Sequence, residues 1–162
     1  MKRRAGALAL LLVATGACRP AARGPWNLLV VTFDTTRADF LGCYGKATAR
    51  TPNVDGLAAE GFQFMKCYTA VPITLPSHST IFTGTYPLAH GVRDNGLFAL
   101  PPGRATLASR LKARGYATGA AIGAFPLTRE YGIDQGFDFF DDHITVGRED
   151  FLGRRKEREA GS

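Results

Sequence analysis

At 162 residues, with 45% hydrophobic side chains and 19 glycines, the chain has the composition of a globular α/β protein and not of a disordered one. Its formal charge of +6 is local: Lys2, Arg3 and Arg4 supply half of it, and Arg154, Arg155, Lys156 and Arg158 crowd the far end. The sequence between them carries no basic patch interleaved with aromatic side chains, which sets nucleic-acid binding aside.

The N-terminus reads as an export signal. A basic stretch, Met1–Arg4, precedes an apolar run from Ala5 to Ala14, too short to span a bilayer stably. Thr15-Gly16-Ala17-Cys18 then resembles a bacterial lipoprotein signal, with Cys18 as the lipidated residue, although Thr15 replaces the usual aliphatic side chain. Cleavage would remove residues 1–17, and 18–25 reads as a linker. The expected location is the periplasm or outer membrane of a bacterium, with membrane attachment only through that lipid. Cys43 and Cys67 remain in the exported part. With no short-spaced Cys or His partner they are not a zinc motif, and two buried small side chains are expected in preference to a disulfide.

From Trp26 to Phe33 the chain is almost continuously apolar and β-rich, which predicts a strand buried on both faces of a parallel sheet. Asp34 follows at its carboxyl end, where α/β proteins place ligands; it reads equally well as the N-cap of a helix over Thr36–Tyr44. Thr51 and Pro52 open a second helix, which runs to about Glu60 and stops at Gly61. Phe62–Thr69 alternates and predicts a strand or extended segment. Pro76 should hold Leu75, and with it Thr74, on an extended approach to a short helix from Ser77 to Thr83, ended by Gly84. A hydroxyl beside the free N–H groups of a helix start is a candidate nucleophile. Asp94-Asn95-Gly96 signals a turn. An amphipathic helix over Thr106–Arg114, a thin buried strand over Tyr116–Ile122 and an edge strand over 136–142 follow, and from Arg148 to Ser162 the chain is charged and reads as helical.

Four segments, in order, resemble the N-terminal part of the sulfatase family, within the alkaline-phosphatase superfamily. They are Leu28–Asp34 with Arg37-Ala38-Asp39 and Leu41–Gly45; Thr51–Asp55 with Leu57–Gly61; Thr74-Leu75-Pro76-Ser77-His78 with Thr83-Gly84, Tyr86-Pro87 and His90-Gly91-Val92; and Leu107–Thr118 with Gly136-Phe137-Asp138. The resemblance implies an α/β/α sandwich with a mostly parallel central sheet, present in part over residues 26–147. It implies a divalent metal (calcium, magnesium or zinc) with Asp34 and Thr74 as ligands, and Thr74 as nucleophile toward a sulfate or phosphate ester of a small molecule, glycan or lipid.

The departures from the family pattern redirect the chemistry. Typical members oxidise a Cys or Ser at the nucleophile position to formylglycine; Thr74 would give a ketone, so no formylglycine is expected. The usual Arg is His78, one of the paired aspartates is Thr35, and Gly123-Ala124-Phe125-Pro126 stands where a sulfate-gripping Lys and His belong. A Thr nucleophile with a downstream Asn is similar to the nucleotide pyrophosphatase/phosphodiesterase branch, with Asn95 at the matching place; Asn95 also reads as part of a plain turn. His78 and His90 read as structural, and Arg93 is a further candidate for the site. The family completes its metal site from the second half of a longer chain. Activity is therefore expected of a full-length protein and not of these 162 residues alone, the alternative being a sulfatase-like domain without catalysis.

Overall fold

Helix and strand lengths in this protein follow local signals more closely than long apolar runs do. The computed structural model describes residues 26–144, so the signal segment, the 18–25 linker, Cys18 and the charged 148–162 segment lie outside the described residues. The chain divides into two units, Met1–Thr32 and Phe33–Ser162. In the first, residues 26–32 form no strand, and Trp26, Leu29 and Val31 are exposed. The buried strand expected over Trp26–Phe33 is therefore not formed. An apolar β-rich run becomes a strand only when neighbours take up its N–H and C=O groups. Among the described residues the hydrogen-bonded sheet consists of β1 (Gly119–Ala121) and β2 (Phe139–Asp141) alone.

In the second unit, the helix expected over Thr36–Tyr44 is replaced by two 3-10 turns, Ala38–Phe40 and Gly42–Tyr44, the second ended by Gly45 in the left-handed region. Helix α1 spans Pro52–Glu60, with Pro52 at its first position as expected. Thr51 does not cap it. Its hydroxyl instead accepts from Gly42 N (2.9 Å) and donates to Asp55 Oδ1 (3.0 Å), which also accepts from Cys43 N (2.7 Å). This network bolts the Gly42–Tyr44 turn onto α1. Cys43 and Cys67 are free thiols, half-buried and exposed respectively, and neither matches the buried pair expected. The Cys43 thiol is held above its ordinary range by burial and by the Asp55 carboxylate. Phe62–Thr69 forms no strand; Phe62, Phe64 and Tyr68 are strongly exposed, so no layer covers the alternating side that would make it one.

Helix α2 (Thr74–Thr83) lies at the centre, followed by the single turn α3 (Pro87–His90) and by α4 (Leu107–Lys112). Leu75 and Val92, both fully buried, pack with Leu100, Leu127, Tyr131 and Ile133, and Phe82, Phe125 and Phe140 extend this core. Thr106 caps α4 reciprocally with Ser109, and its hydroxyl donates to Gln135 O at 2.7 Å. β1 and β2 pair in parallel, Gly119 opposite Phe139 and Ala121 opposite Asp141. Just ahead of them, the Thr118 N–H donates to Asp138 Oδ2 (3.0 Å), and Lys112 Nζ approaches Asp138 Oδ1 to 2.6 Å. Lys112 first, then Thr118, draw the Asp138 carboxyl down to about 2.

Candidate active site

Thr74 is the first residue of α2, and the extended residue before it is Ile73. The expectation of an extended Thr74 fails because Pro76, as third helical residue, has no ladder bond to lose; the first one runs from Ser77 N to Ile73 O at 3.1 Å. The pre-proline bias against a helical Leu75 is outweighed by burying that side chain completely, which stabilises by about 1.5–3 kcal/mol.

The Thr74 hydroxyl donates to Asp34 Oδ2 at 3.0 Å, across 40 positions of sequence. Asp34 caps no helix. It sits at the second position of a turn closed by Thr36 N to Phe33 O (3.3 Å), and Thr35 at the third position has φ +55°. Left-handed backbone at a β-branched residue costs about 1–3 kcal/mol, a strain that gathers at functional sites. The only residue with this conformation among the described non-glycine residues stands next to Asp34.

Asn95 closes the other side. Its Oδ1 accepts from Leu75 N at 2.8 Å, satisfying one of the free N–H groups at the start of α2. A backbone N–H can only donate, so the side-chain oxygen faces the helix and the NH2 is the part of Asn95 that can serve an anionic oxygen. The expected turn is present as well, with Asn95 N donating to Asp94 Oδ1 (2.7 Å) and Gly96 at φ +80°. The two readings of Asn95 are thus compatible.

His78 is buried, and its Nδ1–H donates to Thr74 O at 2.8 Å, four residues back. His90 is fully buried behind α2. Arg93 is exposed and makes no hydrogen bond or ion pair with the described residues. Thr74, Asp34 and Asn95 are therefore brought together through direct bonds to the start of α2, and Arg93 is not. The Leu75 amide and the left-handed Thr35 were missed from the sequence. The pre-proline position of Leu75 pointed away from a helix, and no residue type at 35 announces a positive φ.

The metal expected here can be tested against the donors present. Asp34 Oδ2 and Thr74 Oγ1 are hard oxygens 3.0 Å apart, the right chemistry for calcium or magnesium. They are two, against the six or so such ions require, and among the described residues no group of three or more His, Cys, Asp or Glu side chains converges. The donor type fits; the donor number does not fill a shell. At Gly123–Pro126 the chain is apolar: Ala124 and Phe125 pack on the core and Pro126 is buried, so this stretch presents no cation to an anionic ester.

Comparison with known proteins places the chain. Residues 26–156 match the sulfatase family model. Mouse steryl-sulfatase is 40% identical over 144 residues, covering 83% of this chain and 22% of the relative; human arylsulfatase A is 38% identical, covering 83% and 28%. The phosphonate monoester hydrolase of Agrobacterium radiobacter superposes with a TM-score of 0.56 at 28% identity, over 78% of this chain and 28% of that one. A 2-O GAG sulfatase at 24% identity shares the fold, with a TM-score of 0.55. The chain spans roughly a quarter of the length of these relatives and structural neighbours. It carries the N-terminal part of their α/β architecture, and it belongs to the sulfatase family.

Proposed function

We propose that the protein is a metal-dependent hydrolase of phosphate or sulfate esters in which Thr74 is the nucleophile and Asp34 its partner at the metal. The observation that carries this reading is the 3.0 Å hydrogen bond from Thr74 Oγ1 to Asp34 Oδ2 at the start of α2. A divalent cation, held in part by Asp34 and Thr74, would favour the alkoxide and neutralise charge on the ester. Asp34 accepts the hydrogen bond of the Thr74 hydroxyl and so fixes the position of Oγ1 at the helix start. The ester's central atom bonds to Oγ1, its alcohol leaves with the bridging oxygen, and water then cleaves the Thr74 ester to return the hydroxyl. Asn95 offers its NH2 to a non-bridging oxygen as charge grows there.

The likeness to a phosphonate monoester hydrolase supports phosphoryl transfer and the likeness to steryl-sulfatase and arylsulfatase A supports sulfuryl transfer; a threonine at 74, which cannot become formylglycine, tips the reading to phosphoryl. A second reading, a binding module without catalysis, is favoured by the two-oxygen donor set. Turnover of nitrophenyl phosphate, bis-nitrophenyl phosphate and nitrophenyl sulfate, with calcium, magnesium, manganese or zinc and with chelator, separates them. Chelator-sensitive turnover with phosphate esters above sulfate is expected of a full-length protein; no turnover of any ester by that protein with any of these ions leaves the binding module.

A further inference from the structure

His90 closes a circuit of hydrogen bonds that begins and ends at the nucleophile end of α2. Val92 N donates to His90 Nδ1 at 3.1 Å, so that nitrogen carries no proton. The neutral ring then bears its proton on Nε2, which lies 3.1 Å from Thr80 Oγ1, and the Thr80 hydroxyl in turn donates a hydrogen bond to Pro76 O at 2.9 Å. Three residues beyond Val92, Asn95 Oδ1 receives Leu75 N, next in sequence to Pro76. Each of these four donors has an acceptor, and His90 and Val92 are fully buried, so water cannot take over the bond between them.

We infer that His90, as the neutral Nε2–H tautomer, is a positioning residue that fixes Asn95 against the start of α2 and so sets the oxyanion side of the Thr74 site. The inference rests on the proposed role of Thr74 for its functional meaning, but its geometry does not. Protonation at Nδ1 would set a donor against the Val92 N–H and open the ring at that bond. Burial, and after it the charge of Arg104, hold the His90 pKa below its ordinary value, which keeps the ring neutral at pH 7. The other ionisable groups on the packed elements are His78, engaged with Thr74 O on α2, and Arg93 and Asp94 in the tethered loop.

A histidine whose folded pKa is depressed contributes its full stability above the unfolded value of about 6.5, and that contribution is lost as pH falls below it.

Amide hydrogen exchange followed by NMR tests this without turnover, so failure of the hydrolase reading and failure of this one remain separate. In the 162-residue chain, protection factors of Leu75 and Val92 should fall together between pH 7.5 and 5, while Arg110, bonded to Thr106 O in α4, keeps its protection. In His90→Phe, Leu75 protection should drop by about fivefold or more at pH 7.5, the worth of one net hydrogen bond. His90→Asn, which retains an acceptor for Val92 N–H, should restore part of it and abolish the pH dependence. Unchanged Leu75 protection in His90→Phe, equal loss at Leu75 and Arg110, or a pH dependence that persists in His90→Asn would each overturn the inference. Should His90→Phe not fold, the wild-type titration and His90→Asn decide it.

Discussion

Replacing Thr74 by Ala should reduce ester hydrolysis by at least about 10³-fold in any preparation that turns over nitrophenyl esters, with the fold unchanged. The hydroxyl is lost together with the γ-methyl, and the hydroxyl's hydrogen bond to Asp34 Oδ2 is the contact on which the proposed chemistry turns. Thr74→Ser keeps that hydroxyl and gives up one methyl group, about 0.8 kcal/mol of packing at a largely buried position, so its loss should stay within about tenfold. The contrast between the two variants is diagnostic. Equal losses in Ala and Ser would mean that Thr74 matters for packing; equal retention would remove it from the reaction. The assay is kcat/KM on one phosphate and one sulfate ester for all three proteins, with circular dichroism as the folding control.

Gly136→Ala should destabilise the chain by about 3–5 kcal/mol, a large share of the 5–15 kcal/mol that a domain has in total. Two effects add. Gly136 has φ +95°, where a Cβ is strained, and that Cβ would lie 2.6 Å from Ser109 Cα at the start of α4. Ser109 cannot withdraw, because its N–H and hydroxyl are both held in the cap with Thr106. Gly56, exposed within α1, is the control: a Cβ there meets nothing within 4 Å, and Gly56→Ala should stabilise by about 0.5–1 kcal/mol. Urea unfolding of the three proteins measures both shifts, and a Gly136→Ala midpoint close to wild type would show that α4 and the 132–138 loop do not pack as described.

What could be read from the sequence follows the range of each signal. Pro52 and Gly61 bound α1, Gly84 ends α2 in the left-handed region, and Thr106 opens α4, because caps and stops act within one turn. Strands Gly119–Ala121 and Phe139–Asp141 fall inside the segments expected over Tyr116–Ile122 and 136–142, each shorter than expected, whereas their parallel pairing was not legible in either segment alone. Non-local determinants were hidden. Trp26–Phe33 has the composition of a central strand, but a strand needs neighbours, and its pattern cannot report whether they are there. Pro76 was read as a break when its place as third helical residue makes it harmless. Of the site, Asp34, Thr74 and Asn95 were each nameable, yet the bond from Thr74 to Asp34 spans 40 positions, and the amide that Asn95 satisfies belongs to a backbone position no side-chain motif marks.

The most direct test of the central claim is the covalent state of Thr74 during turnover. Acid quenching in the steady state, proteolysis and mass spectrometry of the peptide containing Thr74 should reveal a phosphoryl or sulfuryl group on that residue, absent from Thr74→Ala and absent without divalent cation. An active preparation in which that peptide is never modified, or in which the group is found on another residue, would contradict Thr74 as the nucleophile.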